Sequence, residues 1–349
     1  MKNISKLLAA GLTAAMALSL AACGGAPAAE SAAPSAAPSE AAESAAANAG
    51  DGKTYTVGIC QLVQHDALDA ATKGFRDALD EALPGQVTFE EKNASNDIPM
   101  CSTIIDSFVS SKMDLILANA TPALQAASAA TADIPILGTS VTEYGVAMGI
   151  DNFDGTVGGN VSGTSDLAPL DQQAAMVKAW FPDAKNVGLL YCSAEPNSQY
   201  QVDVVKTELE KLGYTATQYS FSDSNDLAAV TESAVAANDV LYVPTDNTVA
   251  ANTGIIDNIC RPAKKPVIAG EEGIARGCGV ATLSISYYDL GVTTGKMAVK
   301  ILTGESQIAE MPVEYAPQFT PKFNEEICTE LGLTPPDGYE AIAPAEPAA

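Results

Sequence analysis

The sequence has few basic residues, and this shortage limits the partners that the protein can bind. It contains 18 Lys and Arg against 43 Asp and Glu among 349 residues, a formal net charge of −25. Proteins that bind nucleic acid neutralise backbone phosphates with clustered Lys and Arg, and no basic stripe occurs here. The composition therefore excludes nucleic acid as a partner. Acidity of this kind commonly serves solubility, so it identifies no specific partner.

Histidine and paired cysteines, the usual ligands of zinc, are also scarce. His65 is the only histidine, and none of the seven cysteines forms a CxxC pair. A zinc site is therefore not predicted, and neither is a site for another metal. Outside the cell, the six cysteines after Cys23 could form disulfides. Cys60 and Cys192 lie in or beside predicted core strands, however, so buried free thiols are at least as good an interpretation, and no pairing follows from the sequence.

Sequence motifs of common enzyme classes are missing as well. No GxSxG nucleophile elbow occurs near a strand end, no GxxxxGK[ST] phosphate loop is present, and no GxGxxG follows the first predicted strand. Glu271 and Glu272 are adjacent carboxylates, but neighbours at a strand end tend to point apart, which disfavours paired acid–base catalysis. His65 is less expected as a catalytic base than as a contact in a cleft wall. The sequence therefore predicts no catalytic residue and no cofactor.

The first residues are typical of an export signal rather than of a folded domain. Lys2 and Lys6 flank the start of an apolar segment, residues 7–20, that is too short for a membrane span. The four residues that end in Cys23, Leu-Ala-Ala-Cys, resemble a bacterial lipobox, which implies removal of residues 1–22 and a lipid on the sulfur of Cys23. Ordinary secretory cleavage that leaves a free thiol is the alternative. A lipid anchor would hold the protein on a membrane surface without spanning it.

Low-complexity segments flank a region that is long enough for two cores. Residues 23–53, from the predicted lipidated cysteine onward, are rich in Ala, Ser, Pro and Glu and are predicted to form a disordered tether. Residues 340–349 are expected to form a second disordered tail. The roughly 285 residues between them suffice for two α/β lobes, each with its own core.

Between these segments, short apolar runs alternate with helical patterns. Residues 56–60 form the first predicted strand, and Phe75 and Leu79 belong to one apolar face of the helix that follows Asp66. The same unit of strand, polar loop and helix recurs along the chain, with one interruption at residues 151–166. Strands that alternate with helices of this length form parallel sheets through βαβ crossovers. The sequence therefore predicts an α/β fold with two similar lobes.

Polar side chains are concentrated in the loops at the strand ends, where two facing lobes would form a cleft. Thr121, Ser140 and Ser198 supply hydroxyls near predicted helix starts, which suit a bound carboxylate. Asp246 and Glu271 supply the opposite charge, which suits an ammonium group. Together these groups describe an α-amino acid as the ligand. Ordinary helix capping by Thr121, Ser198 or Asp246 is the alternative interpretation of each residue.

Five segments of the chain, in order, carry a family pattern. They are residues 59–61 with His65-Asp66-Ala67-Leu68-Asp69-Ala70-Ala71, then Ala120-Thr121-Pro122-Ala123, Asn160-Val161-Ser162-Gly163-Thr164-Ser165-Asp166, Pro244-Thr245-Asp246-Asn247-Thr248-Val249-Ala250 and Ala269-Gly270-Glu271-Glu272-Gly273. These segments resemble the ABC-transporter substrate-binding lipoproteins of the tryptophan/tyrosine uptake type. The resemblance extends from Tyr55 to Leu333, which is nearly the whole chain after the tether.

The resemblance implies a periplasmic-binding-protein type I fold. This fold consists of two Rossmann-like lobes with parallel sheets, joined by three crossovers and closing over a small ligand. The crossovers are expected near residues 158–166, 283–289 and 315–322. The implied lobes are an N-terminal lobe of residues 54–163 plus 284–314 and a C-terminal lobe of residues 164–283 plus 315–339.

The resemblance also implies a binding site and an aromatic amino acid, such as tryptophan, tyrosine or phenylalanine, as the ligand. Three residues of the first lobe would flank the ligand side chain: Gln61, His65 and Leu68. Four residues of the same lobe would hold the carboxylate: Ala120, Thr121, Thr139 and Ser140. The second lobe would contribute Asn197, Ser198, Asp246, Asn247 and Glu271.

These observations predict a monomeric, extracytoplasmic receptor, held on the membrane by its lipid, that binds an amino acid by hinge closure and delivers it to an ABC permease. A receptor for a nucleoside or sugar is an alternative, since the same fold serves such ligands. Sugar is disfavoured because Trp180, the single tryptophan, lies on a predicted helix rather than at a strand end. A ligand sensor that docks on a membrane signalling protein is a further alternative, and an enzyme is the least expected class.

Overall fold

The computed structural model describes residues 52–343. In this range the chain forms thirteen strands and twelve α-helices. The strands are β1 (Tyr55–Gln61), β2 (Val87–Asn93), β3 (Leu115–Asn119), β4 (Ile136–Val141), β5 (Val161–Ser165), β6 (Asn186–Cys192), β7 (Thr215–Phe221), β8 (Val240–Val243), β9 (Val267–Ala269), β10 (Ala281–Ser284), β11 (Glu314–Tyr315), β12 (Thr320–Phe323) and β13 (Glu340–Ala341). The helices are α1 (Asp66–Ala82), α2 (Ile98–Ser110), α3 (Thr121–Ala130), α4 (Tyr144–Met148), α5 (Leu170–Trp180), α6 (Pro196–Lys211), α7 (Leu227–Ala237), α8 (Asn247–Ala250), α9 (Thr253–Cys260), α10 (Glu272–Cys278), α11 (Tyr287–Leu302) and α12 (Glu325–Leu331).

The predicted signal peptide, the lipidated Cys23 and nearly all of the tether lie outside the described residues, as do residues 344–349 of the predicted tail. No helix in the range from 52 to 343 is both long and apolar enough to cross a membrane.

Two sheets divide the described chain into two lobes. The first sheet has six strands in the order β11-β5-β4-β3-β1-β2, and all of its neighbouring strands are parallel. The second sheet has seven strands in the order β13-β12-β10-β9-β8-β6-β7, with β12 antiparallel to β10. Helices follow most strands and supply the crossovers that parallel pairing requires. The prediction of an α/β fold with two parallel-sheet lobes is confirmed.

Three segments carry the chain from one sheet to the other. Residues 166–169 connect β5 to α5, residues 285–286 connect β10 to α11, and residues 316–319 connect β11 to β12. Each segment lies within or directly beside one of the three predicted crossovers. Three short connections of this kind form a hinge that keeps the two lobes facing each other.

The sheets correct the predicted lobe limits and the predicted tail by a few residues. Strand β5 pairs with β4 and β11 as far as Ser165, so residues 164–165 belong to the first lobe, and Tyr315 joins that lobe through β11. Ser284, predicted in the first lobe, pairs with Thr320 and belongs to the second. Glu340 and Ala341, predicted as disordered, pair in parallel with Lys322 and Phe323. Backbone hydrogen bonding holds these two residues without needing an apolar side-chain pattern, which explains why composition alone missed them.

Each lobe has its own apolar core on both faces of its sheet. In the first lobe, Phe108 of α2 and Phe75 of α1 are fully buried on opposite faces. In the second lobe, Val205 of α6 and Ile256 of α9 have the same arrangement. All six cysteines from Cys60 onward are buried free thiols, which is one of the two states that the sequence left open.

Helices α1 and α11 approach each other so closely that glycine is required at their contact. An added Cβ at Gly74 would lie 2.1 Å from the Tyr288 carbonyl oxygen, and one at Gly291 would lie 2.0 Å from the Ala71 carbonyl oxygen. Backbone cannot move away as a flexible side chain can. The close contact matters for the site because α1 follows the loop that carries His65, and α11 begins just after the second crossover.

We predict that Gly291→Ala destabilises the protein by about 1–3 kcal/mol, since the added methyl forces α1 and α11 apart. Urea unfolding of the purified protein measures the effect. Gly254→Ala is the matched control, because this helical glycine has no atom within 4 Å of an added Cβ and no left-handed φ. The control should be neutral or stabilising by up to about 1 kcal/mol. Equal stability of the two variants would contradict the packing argument.

Candidate functional site

A small cavity of about 10 Å³ lies where the loops of the two lobes face each other. In each lobe these loops follow the carboxyl ends of parallel strands, the usual location of ligand sites in open α/β sheets. The lining residues are His65, Leu68, Ser140, Thr142, Asp166, Asn197, Thr245, Asp246, Asn247, Ala250, Glu271 and Tyr287. Both lobes and two of the three crossover regions therefore contribute to its walls.

The structure brings together seven of the twelve site residues that the sequence predicts. These are His65, Leu68, Ser140, Asn197, Asp246, Asn247 and Glu271. The other five, which are Gln61, Ala120, Thr121, Thr139 and Ser198, lie outside the cavity lining. Their assignment to the ligand stays a prediction.

Two of these five side chains are engaged within the first lobe. Gln61 donates to Asp69 at 2.6 Å and accepts from Thr72 at 2.7 Å. The Thr139 hydroxyl lies 3.2 Å from the hydroxyls of Thr164 and Thr294. Their hydrogen-bonding groups support the wall of the cavity from behind rather than facing into it.

Five lining residues were not among the predicted ones: Thr142, Asp166, Thr245, Ala250 and Tyr287. Asp166 and Tyr287 lie at the first and second crossovers, and the Tyr287 hydroxyl donates to Asp166 at 2.9 Å. The sequence carries a signal for Asp166, because it ends the third family segment. The sequence does not single out the Tyr287 hydroxyl, because only the fold brings it next to Asp166.

The first lobe has features of an anion site at Ser140, which lines the cavity, and at the start of α3, which lies outside the lining. Helix α3 begins after Ala120, which has φ 93° and offers no side-chain cap, so backbone N–H groups of the first turn lack that partner. The hydroxyls of Thr121 and Ser140 are buried without a hydrogen-bond partner. Ser140 has φ 53°, a left-handed conformation that a residue other than glycine rarely adopts. Strain of this kind is concentrated at functional sites, and the hydroxyls here suit a carboxylate.

Two carboxylates on the second-lobe wall are held by helix N-termini. Asp246 accepts from the backbone N–H of Cys192 at 2.7 Å and of Val249 at 2.9 Å, and burial together with the nearby Glu195 raises its pKa to about 8. Glu271 accepts from the backbone N–H of Gly273 at 2.6 Å, and burial raises its pKa to about 7. Backbone donors position both groups but do not neutralise their charge. A cation in the cavity would do so.

Unpartnered polar atoms point to a ligand in the same place. The Ser140 hydroxyl, one oxygen of Asp166 and the side-chain oxygen of Asn197 are buried and lack hydrogen-bond partners. All three residues line the cavity, and they come from the first lobe, a crossover and the second lobe. Leaving a buried polar group unpaired costs about 1–3 kcal/mol, so a ligand that pairs with several of them is strongly favoured.

No Lys or Arg is present among the described residues that line the cavity. Three carboxylates line it, from Asp166, Asp246 and Glu271, and burial raises the pKa of each. Burial lowers the pKa of His65, so this side chain is neutral at pH 7. The charge of the cavity therefore complements a ligand with a positive group. No cluster of metal-ligating side chains occurs within residues 52–343.

A larger groove of about 510 Å³ runs along the crossovers and shares Glu271 and Tyr287 with the cavity. Its charged groups already have partners, since Glu272 accepts from Lys322 at 2.7 Å and from Arg276 at 2.8 Å. The groove also contains none of the unpartnered buried atoms. The smaller cavity is therefore the better candidate site.

Polar contacts among residues 52–343 cross the cleft and join the lobes directly. His65 Nε2 lies 3.2 Å from Asn247 Oδ1, and Asn96 Nδ2 donates to Thr248 Oγ1 at 3.0 Å. Arg276 of the second lobe pairs with Asp66 of the first at 2.5 Å. These contacts hold the loops of the two lobes against each other over the cavity.

Comparison with known proteins identifies the family. The model of the ABC transporter substrate binding protein family matches residues 56–344. The chain belongs to this family. A tyrosine-binding protein of Clostridioides difficile strain R20291 is 37% identical over 284 residues, which is 80% of this chain and 82% of the relative.

Two solved structures show which lobe arrangement this substrate-binding protein has. An ABC domain from Streptococcus pneumonia in complex with L-Trp is 32% identical, covers 83% of this chain and 100% of its own, and superposes with a TM-score of 0.79. The ligand-free, open structure of a Clostridium difficile substrate-binding protein is 39% identical, with 83% and 99% coverage, but its TM-score is 0.64. The more identical chain superposes less well, which agrees with lobes that are closed here. The periplasmic-binding-protein type I fold is confirmed.

We predict that the free energy of unfolding of the ligand-free protein falls as pH rises from about 4 to about 8. A free carboxyl group has a pKa near 4. Above that pH, Asp246 and Glu271 lose their protons in the unfolded chain. In the folded protein they keep them until the pH reaches their raised pKa values of about 8 and about 7. Since the folded state then binds more protons, stability is present at low pH and lost as pH rises through this window.

Urea unfolding at several pH values, compared with Asp246→Asn, measures this dependence. Because burial lowers the pKa of folded His65, its contribution to the free energy of unfolding rises with pH until about pH 6.5, the usual pKa of histidine. The comparison is therefore clearest above this pH. The variant should show a flatter decline, and the exposed Asp183→Asn should follow the wild type. Parallel curves for Asp246→Asn and the wild type would contradict the raised pKa.

Proposed function

We propose that this substrate-binding protein captures an aromatic α-amino acid in the cavity between its lobes and delivers it to an ABC permease. The observation that carries the proposal is a closed cavity with three buried carboxylates, no Lys or Arg among its described lining residues, and unpartnered polar atoms on both lobes. The C. difficile relative described as tyrosine-binding and the S. pneumonia domain in complex with L-Trp support the aromatic class.

The two walls suggest an orientation for the ligand. Its ammonium group would be bound by Asp246 and Glu271, whose raised pKa values would fall as they gain a positive partner. Its carboxylate would be bound by Ser140 and Thr121 near the start of α3. Charge-assisted hydrogen bonds at both ends would then require an amino acid with both groups intact.

The cavity lining and lobe closure fit the same proposal. The closed cavity has about 10 Å³ of free space, so an amino acid would enter while the lobes are apart, and Leu68 and Ala250 would give its side chain apolar surface. Because the ligand contacts both lobes only when they are closed, binding would shift the hinge equilibrium toward the closed form. The permease would then recognise the loaded, closed protein. The protein binds its ligand without transforming it in this proposal.

The location proposed for the protein is the outer face of the cytoplasmic membrane. The family serves ABC transporters, and the lipobox-like residues that end at Cys23 would attach a lipid there. The low-complexity segment after Cys23 would let a monomeric receptor reach the permease, since a chain of this length spans roughly 30 Å. The membrane contact would be made by the lipid alone.

We predict that L-tryptophan, L-tyrosine or L-phenylalanine raises the melting temperature of the purified protein. A ligand at a hundredfold excess over its Kd stabilises the folded state by about 2.7 kcal/mol. Thermal melts against all common amino acids, uridine and glucose measure the preference. Tryptamine and indole-3-propionate, which lack the carboxylate and the ammonium group respectively, should both fail to stabilise the protein. A shift with the sugar or nucleoside alone would contradict the proposal.

We predict that Asp246→Asn weakens binding of the preferred amino acid at least tenfold, because it removes the negative charge that faces the ammonium group. A tenfold loss corresponds to about 1.4 kcal/mol, within the range for a hydrogen bond to a charged group. Isothermal titration calorimetry measures the Kd. Asp183→Asn, an exposed carboxylate of the same lobe, should bind as the wild type does. Unchanged affinity of Asp246→Asn would show that the ammonium group lies elsewhere.

A further inference from the structure

Glu195 is a buried carboxylate that lies outside the cavity and pairs with no cation. Its side chain is 2% exposed and precedes α6. One oxygen accepts from the backbone N–H of Asn247 at 3.1 Å and from the side-chain amide of Asn247 at 2.7 Å. The other accepts from the backbone N–H of Thr248 at 2.9 Å and from the hydroxyl of Thr248 at 2.8 Å. The side-chain amide of Asn197 also donates to the first of these oxygens, at 3.3 Å. Five donors thus converge on one carboxylate, and four of them belong to two consecutive residues.

The contact with Asn247 fixes which way its side-chain amide faces. Because the nitrogen of the amide donates to Glu195, the oxygen must face His65 across the cleft, at 3.2 Å from Nε2. An amide oxygen accepts hydrogen bonds but cannot donate them. His65 therefore has to carry a hydrogen on Nε2 to make this contact, and burial lowers its pKa so that the neutral ring is favoured.

The contact of Glu195 with Thr248 likewise decides which group donates in the second contact between the lobes, that of Asn96 with Thr248. A hydroxyl has one hydrogen, and Thr248 donates it to Glu195, which leaves lone pairs to face the first lobe. Asn96 of the first lobe donates its amide to that oxygen at 3.0 Å. Both second-lobe groups are therefore acceptors, and both first-lobe partners are donors.

We propose that Glu195 is a positioning residue for lobe closure, which presents Asn247 and Thr248 as a pair of acceptors to His65 and Asn96. The proposal rests on the proposed function in that closure is the binding step. Glu195 acts through these two neighbours and lines no part of the ligand cavity. A glutamine at this position would turn an NH₂ group toward the backbone N–H of Asn247 or Thr248, which would disturb one of the two bridges.

The single histidine of the chain makes the first test direct. Nitrogen-15 NMR of the wild type, saturated with L-tryptophan or L-tyrosine, should show a neutral His65 with its hydrogen on Nε2. The signals need no assignment by mutation, since His65 is the only histidine. A ring with its hydrogen on Nδ1 in the ligand-bound protein would overturn the proposal, because Nε2 would then face Asn247 without a hydrogen to donate.

The second test compares variants that leave the cavity lining intact. Thr248→Val keeps the side-chain shape and removes only the hydroxyl, and Glu195→Gln removes the charge. Dissociation of L-tryptophan or L-tyrosine should be at least threefold faster in Thr248→Val and at least tenfold faster in Glu195→Gln. Small-angle scattering should show a larger radius of gyration for both. Glu210→Gln, an exposed carboxylate of the same helix α6, is the control and should match the wild type.

The outcomes separate this proposal from the proposed function. Dissociation rates in Thr248→Val equal to those of the control would overturn the role of Glu195 while leaving amino-acid binding intact. If neither amino acid binds the wild type, the ligand class is wrong, and small-angle scattering of the unliganded proteins then tests the role of Glu195. Thr248→Val must then still have a larger radius of gyration than Glu210→Gln, and equal radii would overturn the proposal. Thr248→Val also keeps the test valid if Glu195→Gln does not fold.

Discussion

Burial of carboxylates without a protein cation is the constraint on which the rest of the structure depends. Asp166, Asp246 and Glu271 are removed from water at one cavity, and burial raises the pKa of each. The charged form of such a group is costly unless hydrogen bonds and an opposite charge compensate it. Backbone N–H groups supply part of this compensation at Asp246 and Glu271. In the proposed function, the missing positive charge is the part that the ligand would supply.

The topology explains why these groups meet in one place. Parallel strands direct the following helix starts to one edge of each sheet, and the three crossovers turn those edges toward each other. Helix N-termini favour negative charge, so both carboxylates on the second-lobe wall are stabilised where they cap α8 and α10. The start of α3 in the opposite lobe lies outside the cavity lining and has no carboxylate cap, so its backbone N–H groups suit an anion. One lobe therefore suits a positive group and the other a negative group, which would set the orientation of a ligand that carries both.

The sequence predicted the fold and the general location of the site but not all of its groups. Regular alternation of strands and helices is a local property, so two lobes and their strand-end loops could be read from it. The left-handed backbone of Ser140 and the shift in register between Gly138 and Val141 interrupt the regular alternation of β4. Ser140 lines the cavity there while Thr139 contacts Thr164, which no local pattern specifies. The contact of Asp166 with Tyr287 joins residues 121 positions apart, and it depends on the path of two crossovers that no local pattern specifies.

Two adjacent carboxylates connect ligand binding with closure. Asp246 faces the cavity, whereas Glu195 orients the groups that bridge to the first lobe, and the charge of Glu195 helps to raise the pKa of Asp246. A ligand ammonium group beside Asp246 would offset the repulsion between the two carboxylates. Glu195 would then hold Asn247 and Thr248 in a more favourable electrostatic environment. A ligand shifts a two-state equilibrium only by its differential affinity for the two states. If the ligand reaches Asp246 only in the closed state, the reduced repulsion between Asp246 and Glu195 would add to that differential affinity.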